Sequence, residues 1–325
     1  MTTLIIGAGL VGSQVARILV EQGEKPVLMD YAAQPEAIAE IVDLNKVTLR
    51  DGDVMRPFTL VNVMRAHGVK AIVHTAANPL LTLGAQKDPY AAINLNIMGT
   101  VNVLEAARSM GISRVIVSSS NVLNHFMAGG EGDCRLMHEE ALPRPTTFYA
   151  ATKQAIESLG LNYARWCGID FAGMRYGAVF GPWSGAGGGG PSNVVRDALR
   201  AALAGEEAFV PAGALEWVYS KDAARGTVLA LQAQNLGSRI FNITMAQLAQ
   251  PQDLAEAIRI VVPGARIRIE TAAANAVSLP NMNGVSDQSI AKAILGYRPQ
   301  YDLVSGLRDI AQWMKARELS HPGED

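Results

Sequence analysis

Tyr149 and Lys153 are the residue pair in this sequence with the clearest potential for chemistry. A spacing of four places both side chains on one face of a helix, one turn apart. A phenol is a poor base at neutral pH, and a neighbouring ammonium should lower its pKa by stabilising the phenolate. The pair therefore predicts a tyrosine that exchanges a proton near physiological pH. An exposed helix pair without a chemical role has the same spacing, so further groups are needed to decide.

A serine run, Ser118 to Ser120, supplies a candidate third group. It follows 114-RVIV, a short apolar stretch typical of a buried strand. In sheets whose strands alternate with helices, ligands bind at the carboxyl edge, where a hydroxyl can hydrogen-bond a reacting oxygen. An ordinary turn at the end of a strand would explain two of the three serines equally well.

A glycine-rich turn near the amino terminus predicts a phosphate-binding site. Gly7, Gly9 and Gly12 form the pattern G-x-G-x-x-G, with Leu10 and Val11 between the last two glycines. The pattern follows an apolar run and precedes a helical one, which is the context that a dinucleotide-binding turn requires. Glycines there allow a tight turn and a close approach of backbone N–H groups to a pyrophosphate.

Asp30 ends the second apolar run, about twenty residues after the glycine turn. A carboxylate at this point accepts hydrogen bonds from the ribose hydroxyls of NAD and repels the 2′-phosphate of NADP. The next residues, Tyr31, Ala32 and Ala33, include no arginine, so NAD is the expected cofactor. A carboxylate that only caps a turn is the alternative interpretation.

The alternation of apolar runs with helical patterns predicts an α/β fold, a Rossmann-like doubly wound parallel sheet. The runs begin at residues 3, 26, 46, 71, 114 and 169, and a further strand is expected at 239-RIFNI. Residues 1–176, with parts of 215–245, should form the NAD-binding domain. Residues 177–214 and 246–325 should form a smaller, mixed substrate-binding region.

Composition argues against several classes of function. The formal net charge of −2 leaves no cationic surplus for nucleic acid or an anionic membrane, and no apolar run is long enough to span a bilayer. Cys134, Cys167 and His138 show neither disulfide nor metal-ligand spacing, so no metal is expected. The expectation is a soluble, cytoplasmic enzyme that acts on a small molecule.

The order of these motifs resembles that of the extended short-chain dehydrogenases/reductases of the NAD-dependent epimerase/dehydratase group. The resemblance covers nearly the whole chain, from the glycine turn and Asp30 through the serine run and Y-x-x-x-K. Further segments that match the family pattern are 51-DGDV, 74-HTAA, 94-NLNIMGTVNVLEAAR, 175-RYGAVFGP, 217-WVYSKDAARG and 295-LGYRP.

The resemblance implies a catalytic set of Ser119, Tyr149 and Lys153. Ser119 is chosen by counting back three residues from Val122, and Ser120 and Ser118 are the alternatives. Asn96 resembles a buried asparagine that steadies the active-site helix. Besides the glycine turn, Asp30, Tyr149 and Lys153, the NAD contacts implied are Tyr31, Asp53, Val54, Ala76, Ala77, Asn96, Tyr176 and Val179.

Three departures from the family pattern bear on the reaction. Ile6 replaces an additional glycine of the family's turn, and the remaining three glycines still serve a pyrophosphate. Ser119-Ser120-Asn121 replaces the Thr-Asp-Glu of dehydratases, so dehydration is not expected. Ala178 and Leu215 replace an asparagine and an arginine that hold a nucleotide diphosphate, which argues against that substrate class unless a residue such as Arg196 compensates.

The tract 185-GAGGGG follows the sixth apolar run and would overhang the nicotinamide, either as a lid or as a flexible linker. Trp183, just before it, is expected to touch the substrate through an apolar face and one N–H donor. The candidate substrate contacts are Asn78, Ser120, Asn121, Ala178, Trp183 and Arg196.

Together these features predict an NAD-dependent oxidoreductase that exchanges a hydride at a secondary hydroxyl or carbonyl carbon of a small polar substrate, either sugar-like or a hydroxy acid. A sugar or nucleotide-sugar epimerase with the same residues is the alternative, and a non-catalytic dinucleotide-sensing module is a remote one. The resemblance also implies a homodimer formed by helices around residues 92–108 and 149–166. Ala106, Ile156 and Trp166 are the candidates for its contact strip.

Overall fold

A computed structural model of the protein describes residues 2–77, 88–126, 145, 147–187, 189–270, 282 and 284–320. The strands within these residues are β1 Thr3–Ile6, β2 Val27–Asp30, β3 Thr48–Asp51, β4 Ala71–His74, β5 Arg114–Ser120, β6 Asp170–Tyr176, β7 Ala178–Phe180, β8 Glu207–Pro211, β9 Leu215–Tyr219, β10 Arg239–Ile243, β11 Leu248–Ala249 and β12 Arg266–Glu270. The α-helices are α1 Leu10–Glu21, α2 Pro35–Ala39, α3 Pro57–His67, α4 Pro89–Ile93, α5 Gly99–Ser109, α6 Phe148–Cys167, α7 Gly190–Leu203, α8 Ser220–Gln232, α9 Pro251–Val261, α10 Ser289–Leu295 and α11 Leu303–Ser320.

The central sheet has seven parallel strands in the order β10-β6-β5-β4-β1-β2-β3. They coincide with the apolar runs of the sequence, so the predicted doubly wound fold is confirmed. β1 and β4 are buried at every residue, as expected where helices cover both faces of a parallel sheet. The strand order reverses between these two neighbours. The loops that follow them therefore diverge and leave a crevice at the carboxyl edge.

Two smaller sheets lie in the later part of the chain. β11, β9 and β7 form one of them, and β12 pairs with β8 in the other. Their apolar side chains form a separate core with α7, α9 and α11, in which Phe180, Trp217 and Leu307 are buried. The segment 215–245 is divided between the two parts, because β9 joins a small sheet whereas β10 joins the central one.

Local sequence explains where the long helix α6 begins and ends. The side chain of Thr147 accepts a hydrogen bond from the backbone N–H of Ala150, and Gly168 ends the helix in the left-handed conformation. Gly160 allows α6 to approach the sheet closely, since a Cβ there would lie 2.1 Å from the ring of Phe171. The helix is thus fixed against β6 with its first turns at the carboxyl edge.

The described residues contain no helix that is long and apolar enough to cross a bilayer. They also contain no group of three or more His, Cys, Asp or Glu side chains that could hold a metal ion. Cys134 and His138 lie outside the described residues.

The residues exposed on α5 and α6 differ from those that the sequence analysis assigned to the dimer contact. Ala106 and Ile156, expected to meet a partner, are 3% and 2% exposed and belong to the core beneath the helices. Val101 of α5 and Leu159 of α6 are half-buried instead and lie in no core cluster. Trp166 is 68% exposed. The face that carries Ala106 and Ile156 thus packs on the sheet, and a partner would have to contact the face that carries Val101, Leu159 and Trp166.

The homodimer remains a prediction, and Leu159→Glu tests it. A charge at this half-buried position should cost little in a monomer, but within a four-helix bundle it would be buried without a counter-ion. Light scattering should give about twice the 34.6 kDa chain mass for the parent and a single chain mass for the variant.

The control for Leu159→Glu is Ile260→Glu, since Ile260 is 51% exposed on the distant helix α9. This variant should keep the parent's mass. A monomeric parent, or a Leu159→Glu variant that stays dimeric, would contradict the predicted interface.

Candidate active site

Of the three glycines in the turn between β1 and α1, two are required by packing and the third leaves space open. Gly7 has a φ of +99°, and a Cβ there would lie 2.5 Å from the backbone nitrogen of Ala76. A Cβ on Gly12 would lie 1.9 Å from the carbonyl oxygen of Gly7, so the packing of turn and helix requires both glycines. Gly9 has a φ of −81° and no atom within 4 Å of its Cβ position. This third glycine faces open space.

Asp30 is held beside this turn by backbone N–H groups. Its Oδ2 accepts a hydrogen bond from the backbone nitrogen of Ala8 at 2.7 Å, and its Oδ1 accepts one from Ala32 at 2.9 Å. A carboxylate oxygen can accept more than one hydrogen bond, so both oxygens can still accept from a ligand. The carboxylate is therefore oriented by the protein and remains free to bind hydroxyl groups.

A cavity of about 420 Å³ connects the glycine turn to the serine run. Asp30 and Gln34 lie at its glycine-turn end, and Tyr149 and Lys153 lie where the serine run closes the other end. The predicted contacts that line it are Gly7, Gly9, Leu10, Val11, Gly12, Asp30, Ala76, Ala77, Ser119, Ser120, Asn121, Tyr149, Lys153, Tyr176, Ala178 and Val179.

The groups along this cavity fit a dinucleotide. Gly9 is the N-cap of α1 and has no side chain to bond the first-turn N–H groups, which leaves them available for a pyrophosphate. Asp30 offers a carboxylate for ribose hydroxyls. Lys153 and the hydroxyls of Tyr149 and Ser120 lie at the end where a nicotinamide ribose and the reacting carbon would sit.

Tyr149, Lys153 and the serine run meet as the sequence predicts, but Ser120 is the serine that faces Tyr149. The Ser120 hydroxyl hydrogen-bonds the Tyr149 side chain. Lys153 donates from Nζ to the carbonyl oxygen of Ser118 at 2.9 Å, and the same Nζ lies 5.7 Å from the centroid of the Tyr149 ring. A substrate oxygen in this part of the cavity would meet two hydroxyls and be close to one ammonium.

Ser119, the predicted catalytic serine, points its hydroxyl elsewhere. It donates to Oε1 of Glu157 at 2.5 Å, between β5 and the catalytic helix α6. Side chains alternate along a strand, so Ser119 and Ser120 of β5 face opposite sides of the sheet. Counting residues from Val122 did not take this alternation into account, and the geometry assigns the hydroxyl beside Tyr149 to Ser120.

Burial shifts the pKa values of Tyr149 and Lys153 toward their neutral forms. The pKa of Tyr149 is raised by desolvation, which its hydrogen bond with Ser120 only partly offsets. Desolvation also lowers the pKa of Lys153 to about 8, against the opposing charge of Glu157. The pKa of Tyr149 is therefore raised, whereas the sequence predicted that Lys153 would lower it, because desolvation by burial is the largest effect on this phenol.

Sequence reasoning missed an ion pair between the catalytic helix α6 and β6. Arg175 is 2% exposed and binds Glu157 through Nε at 2.9 Å and Nη2 at 2.8 Å. Its Nη1 donates to Oδ1 of Asn124 at 3.2 Å. The available signal was the position of Glu157, which lies four residues after Lys153 and hence on the same helix face.

A second buried carboxylate, Glu216, lies beside the cavity and was also missed. It accepts hydrogen bonds from the backbone and hydroxyl of Ser286, from the hydroxyl of Thr244 and from Nδ2 of Asn121. Desolvation nevertheless raises its pKa. Because one of its partners is Asn121, which lines the cavity, Glu216 orients a predicted substrate contact.

Asn96 has the position that the family resemblance implies. It is 3% exposed within a π-helical turn, Asn94–Met98, and its Nδ2 donates to the hydroxyl of Thr152 on α6 at 3.0 Å. Its Oδ1 has no hydrogen-bond partner among the described residues. Asn96 therefore braces α6 between Tyr149 and Glu157 and does not line the cavity.

Several predicted contacts lie away from the cavity. Tyr31 is 78% exposed, and neither Asp53 nor Val54 is among the lining residues. Trp183 is 3% exposed because its ring packs in the core, and its indole N–H donates to the carbonyl oxygen of Ala186. Arg196 pairs with the neighbouring Asp197 and does not line the cavity. Asn78 lies outside the described residues.

Comparison with known proteins finds a matching family model, related sequences and solved structures of similar fold. A sequence model of the NAD dependent epimerase/dehydratase family matches residues 3–244. UDP-glucuronate 4-epimerase 4 of Arabidopsis thaliana is 25% identical over 96% of this chain and 75% of its own length. The structure of UDP-glucuronic acid 4-epimerase from Bacillus cereus, with UDP-glucuronic acid and NAD, has a TM-score of 0.82 at 22% identity and covers 98% of this chain and 100% of its own. The structure of a partial consensus L-threonine 3-dehydrogenase has a TM-score of 0.79 at 28% identity. The match covers 97% of this chain and 100% of that chain.

His74, at the end of β4, should make the stability of the protein fall at acidic pH. Burial, and secondarily the charge of Lys153, lowers its pKa to about 3. Between pH 6.5 and 3 the unfolded chain binds a proton there that the folded protein does not, so stability is full above pH 6.5 and falls as the pH drops. Between pH 7 and 5 this loss should be on the order of 2 kcal/mol.

Urea unfolding of the parent and of His74→Gln at pH 7 and pH 5 measures this effect. The variant should lose less stability on acidification than the parent does. His67→Gln, at the end of α3, controls for the removal of a histidine elsewhere and should retain the parent's full loss. An equal loss in parent and His74→Gln would contradict the assignment.

Gly9 should matter for the dinucleotide and not for folding. Asn and Asp are favoured N-cap residues, and a φ of −81° suits both, so Gly9→Asn and Gly9→Asp should keep the thermal stability of the ligand-free protein. A side chain in the open space beside Gly9 would occupy the pyrophosphate position. We expect NAD affinity to fall on the order of tenfold with Asn, and further with the like-charged Asp.

Calorimetric titration with NAD distinguishes the steric effect from the charge effect at this position. Gly12→Ala is the contrasting variant, since its Cβ would collide with backbone and should lower the stability itself. If Gly9→Asp bound NAD as tightly as the parent, the pyrophosphate would lie elsewhere.

Proposed function

Because the chain belongs to the NAD dependent epimerase/dehydratase family, we propose that it is an epimerase that inverts a secondary hydroxyl carbon of a sugar substrate. One observation carries the proposal: Tyr149, Ser120 and Lys153 share a single cavity with the glycine turn and Asp30. A proton-transfer group and a dinucleotide cradle are thus parts of one site. The relatives named as UDP-sugar 4-epimerases support inversion as the outcome.

The side chains of this cavity account for the proton half of the reaction. NAD, when bound, accepts a hydride from the substrate carbon and returns it. Tyr149 takes the proton of the substrate hydroxyl as that carbon is oxidised to a ketone, and gives the proton back when the ketone is reduced on its other face. Ser120 holds the same oxygen by its hydroxyl. Atoms and charge balance over the cycle, and the substrate leaves as its epimer.

The protonation state of Tyr149 determines the order of these events. Since burial raises its pKa, Tyr149 is a neutral phenol in the ligand-free protein. Positive charge beside the ring favours the phenolate. Lys153, with a pKa of about 8, is largely protonated at neutral pH and supplies part of this charge. Tyr149 must therefore lose its own proton to solvent before it can accept that of the substrate, and positive charge in the cavity would favour this loss.

Dehydration has no suitable base in the described part of the cavity. Among its lining residues the carboxylate is that of Asp30, at the glycine-turn end. Asn121 replaces the acid found in dehydratases, and Glu216 behind it is engaged by three hydrogen-bonding side chains and a backbone N–H. We therefore assign inversion rather than elimination to this site.

A dehydrogenase that releases reduced cofactor is the second candidate, and one observation favours it. Ala178 and Leu215 line the cavity in place of the amide and guanidinium expected for a nucleotide diphosphate. A smaller hydroxylated substrate would not need those groups. The similarity to the consensus L-threonine 3-dehydrogenase is consistent with this class.

Epimer formation without added cofactor distinguishes the two candidates. UDP-glucuronate and UDP-glucose are the first substrates to test, followed by free sugars and hydroxy acids, with products separated by chromatography. The expected result is an epimer with no accumulation of reduced NAD, and no product from Tyr149→Phe. Steady accumulation of NADH with added NAD would instead identify a dehydrogenase.

The two serines should affect different properties. Ser120→Ala removes a donor to the reacting oxygen and should lower kcat by about a hundredfold while stability is unchanged. Ser119→Ala leaves the buried Glu157 with one donor fewer and should lower the free energy of unfolding by about 1–3 kcal/mol. Steady-state kinetics and urea unfolding of both variants test this division. A larger kcat loss in Ser119→Ala, with normal stability, would reverse the assignment.

A further inference from the structure

Gln34 forms a two-point contact with the segment that follows β7. Its Oε1 accepts a hydrogen bond from the backbone nitrogen of Ala186 at 2.5 Å, and its Nε2 donates to the carbonyl oxygen of the same residue at 3.2 Å. A side-chain amide that bonds both backbone groups of one residue fixes its position as a strand neighbour would. Gln34 and Ala186 are 152 residues apart in the chain.

This contact joins two walls of the dinucleotide cavity. Gln34 follows Asp30, and both line its glycine-turn end. Ala186, Gly187 and Gly189 line the cavity from the segment that leads into α7. The residues 183–187, which we call the strap, are therefore fastened across the cavity by bonds to Gln34, in the loop that follows Asp30.

The strap has little freedom to shift at its first residues. The ring of Trp183 is buried in the core, and its indole N–H donates to the same Ala186 carbonyl oxygen at 3.3 Å. Gly185 is packed against Trp183 and Gln34, the two side chains that bond Ala186. A Cβ at Gly185 would lie 2.6 Å from the Trp183 ring and 2.9 Å from Oε1 of Gln34. The contact is thus built from close packing as well as from hydrogen bonds.

We propose that Gln34 is a positioning residue that fastens the strap over the bound dinucleotide, so that NAD leaves only after the Gln34–Ala186 bonds open. This inference rests on the proposed function in one respect: an epimerase recovers its cofactor in every cycle and has no need to release it. A dehydrogenase would have to open the strap at each turnover. Retention of NAD is therefore the property that the contact would provide.

Exchange of bound NAD tests the role of Gln34 directly. Protein loaded with NAD is mixed with excess radiolabelled NAD, and incorporation of label is followed by rapid gel filtration. Gln34→Met keeps the side-chain length but loses both bonds, and we expect it to speed exchange by at least about tenfold. The thermal stability of the ligand-free variant should equal that of the parent, which a merely structural role would not predict.

A matched control removes a similar amide bond elsewhere. Gln232 donates to the side chain of Gln22 at 2.7 Å, between α8 and the end of α1, and neither residue lines the cavity. Gln232→Met should exchange NAD at the parent's rate. Equal acceleration in this control, or an unchanged rate in Gln34→Met, would overturn the proposal.

A second variant opens the same contact from the strap side. Gly185→Ala leaves Gln34 intact but places a methyl group against its Oε1, and should speed exchange as Gln34→Met does. The double variant should be no faster than either single one, because both break one contact. If the double variant exchanged NAD faster than either single variant, Gln34 and Gly185 would act separately. That result would contradict the proposal that both changes open the same contact.

The exchange assay uses NAD alone and requires no substrate, so its outcome is independent of whether the protein epimerises a sugar. If turnover releases NADH while exchange still depends on Gln34, the epimerase assignment fails and the role of Gln34 stands. If epimers form while parent and Gln34→Met exchange NAD equally fast, the role of Gln34 fails and the epimerase assignment stands.

Discussion

The buried pair of Glu157 and Arg175 is the contact on which the geometry of the active site depends. Two charges removed from water cost several kcal/mol each, and only close, fully hydrogen-bonded geometry offsets that cost. Here the guanidinium binds both carboxylate oxygens and Ser119 adds a third donor. Since Glu157 lies one turn beyond Lys153 and two turns beyond Tyr149, the pair fixes the rotation of α6 about its axis. The catalytic side chains face the cavity as a consequence.

The same arginine sets the direction of a hydrogen-bond path toward the smaller sheets. A guanidinium can only donate, so Asn124 accepts with Oδ1 and donates with Nδ2 to the hydroxyl of Ser286. That hydroxyl donates in turn to Glu216. Central and small sheets therefore meet beside the cavity through groups whose roles as donor or acceptor are all determined. A change in Glu216 would remove the acceptor of the Ser286 hydroxyl, and a change in Glu157 would remove the partner that holds Arg175 in this path.

The sequence predicted the parts of the protein that depend on local pattern. The seven strands followed from apolar runs, the turn from Gly7 and Gly12, and the catalytic face from the spacing of Tyr149 and Lys153. Each of these signals is contained in a few neighbouring residues. The strands of the small sheets were largely missed, because each is at most five residues long and pairs with a distant partner, as Glu207 of β8 does with Arg266 of β12.

Errors in the site arose where the answer depends on how distant segments pack. Ser119 and Ser120 are the same residue type at adjacent positions, so the sequence does not show which hydroxyl faces Tyr149. The position of β5 relative to the catalytic helix decides it. Trp183 has an apolar face that suits a substrate, but in the folded protein this face packs in the hydrophobic core. The contact of Gln34 with Ala186 joins residues of common types at no recognisable spacing, so no sequence pattern could have indicated it.

Burial links the chemistry of Tyr149 to the occupancy of the cavity. Desolvation alone favours a neutral phenol and a neutral amine, and the ligand-free site shifts both pKa values in that direction. Positive charge in the cavity would oppose this preference at the phenol, and the low dielectric of the buried site would strengthen its effect. A solvent-exposed tyrosine would respond less, since water would screen the added charge. The burial that holds Tyr149 in its neutral phenol form thus makes its proton transfer sensitive to positive charge beside the ring.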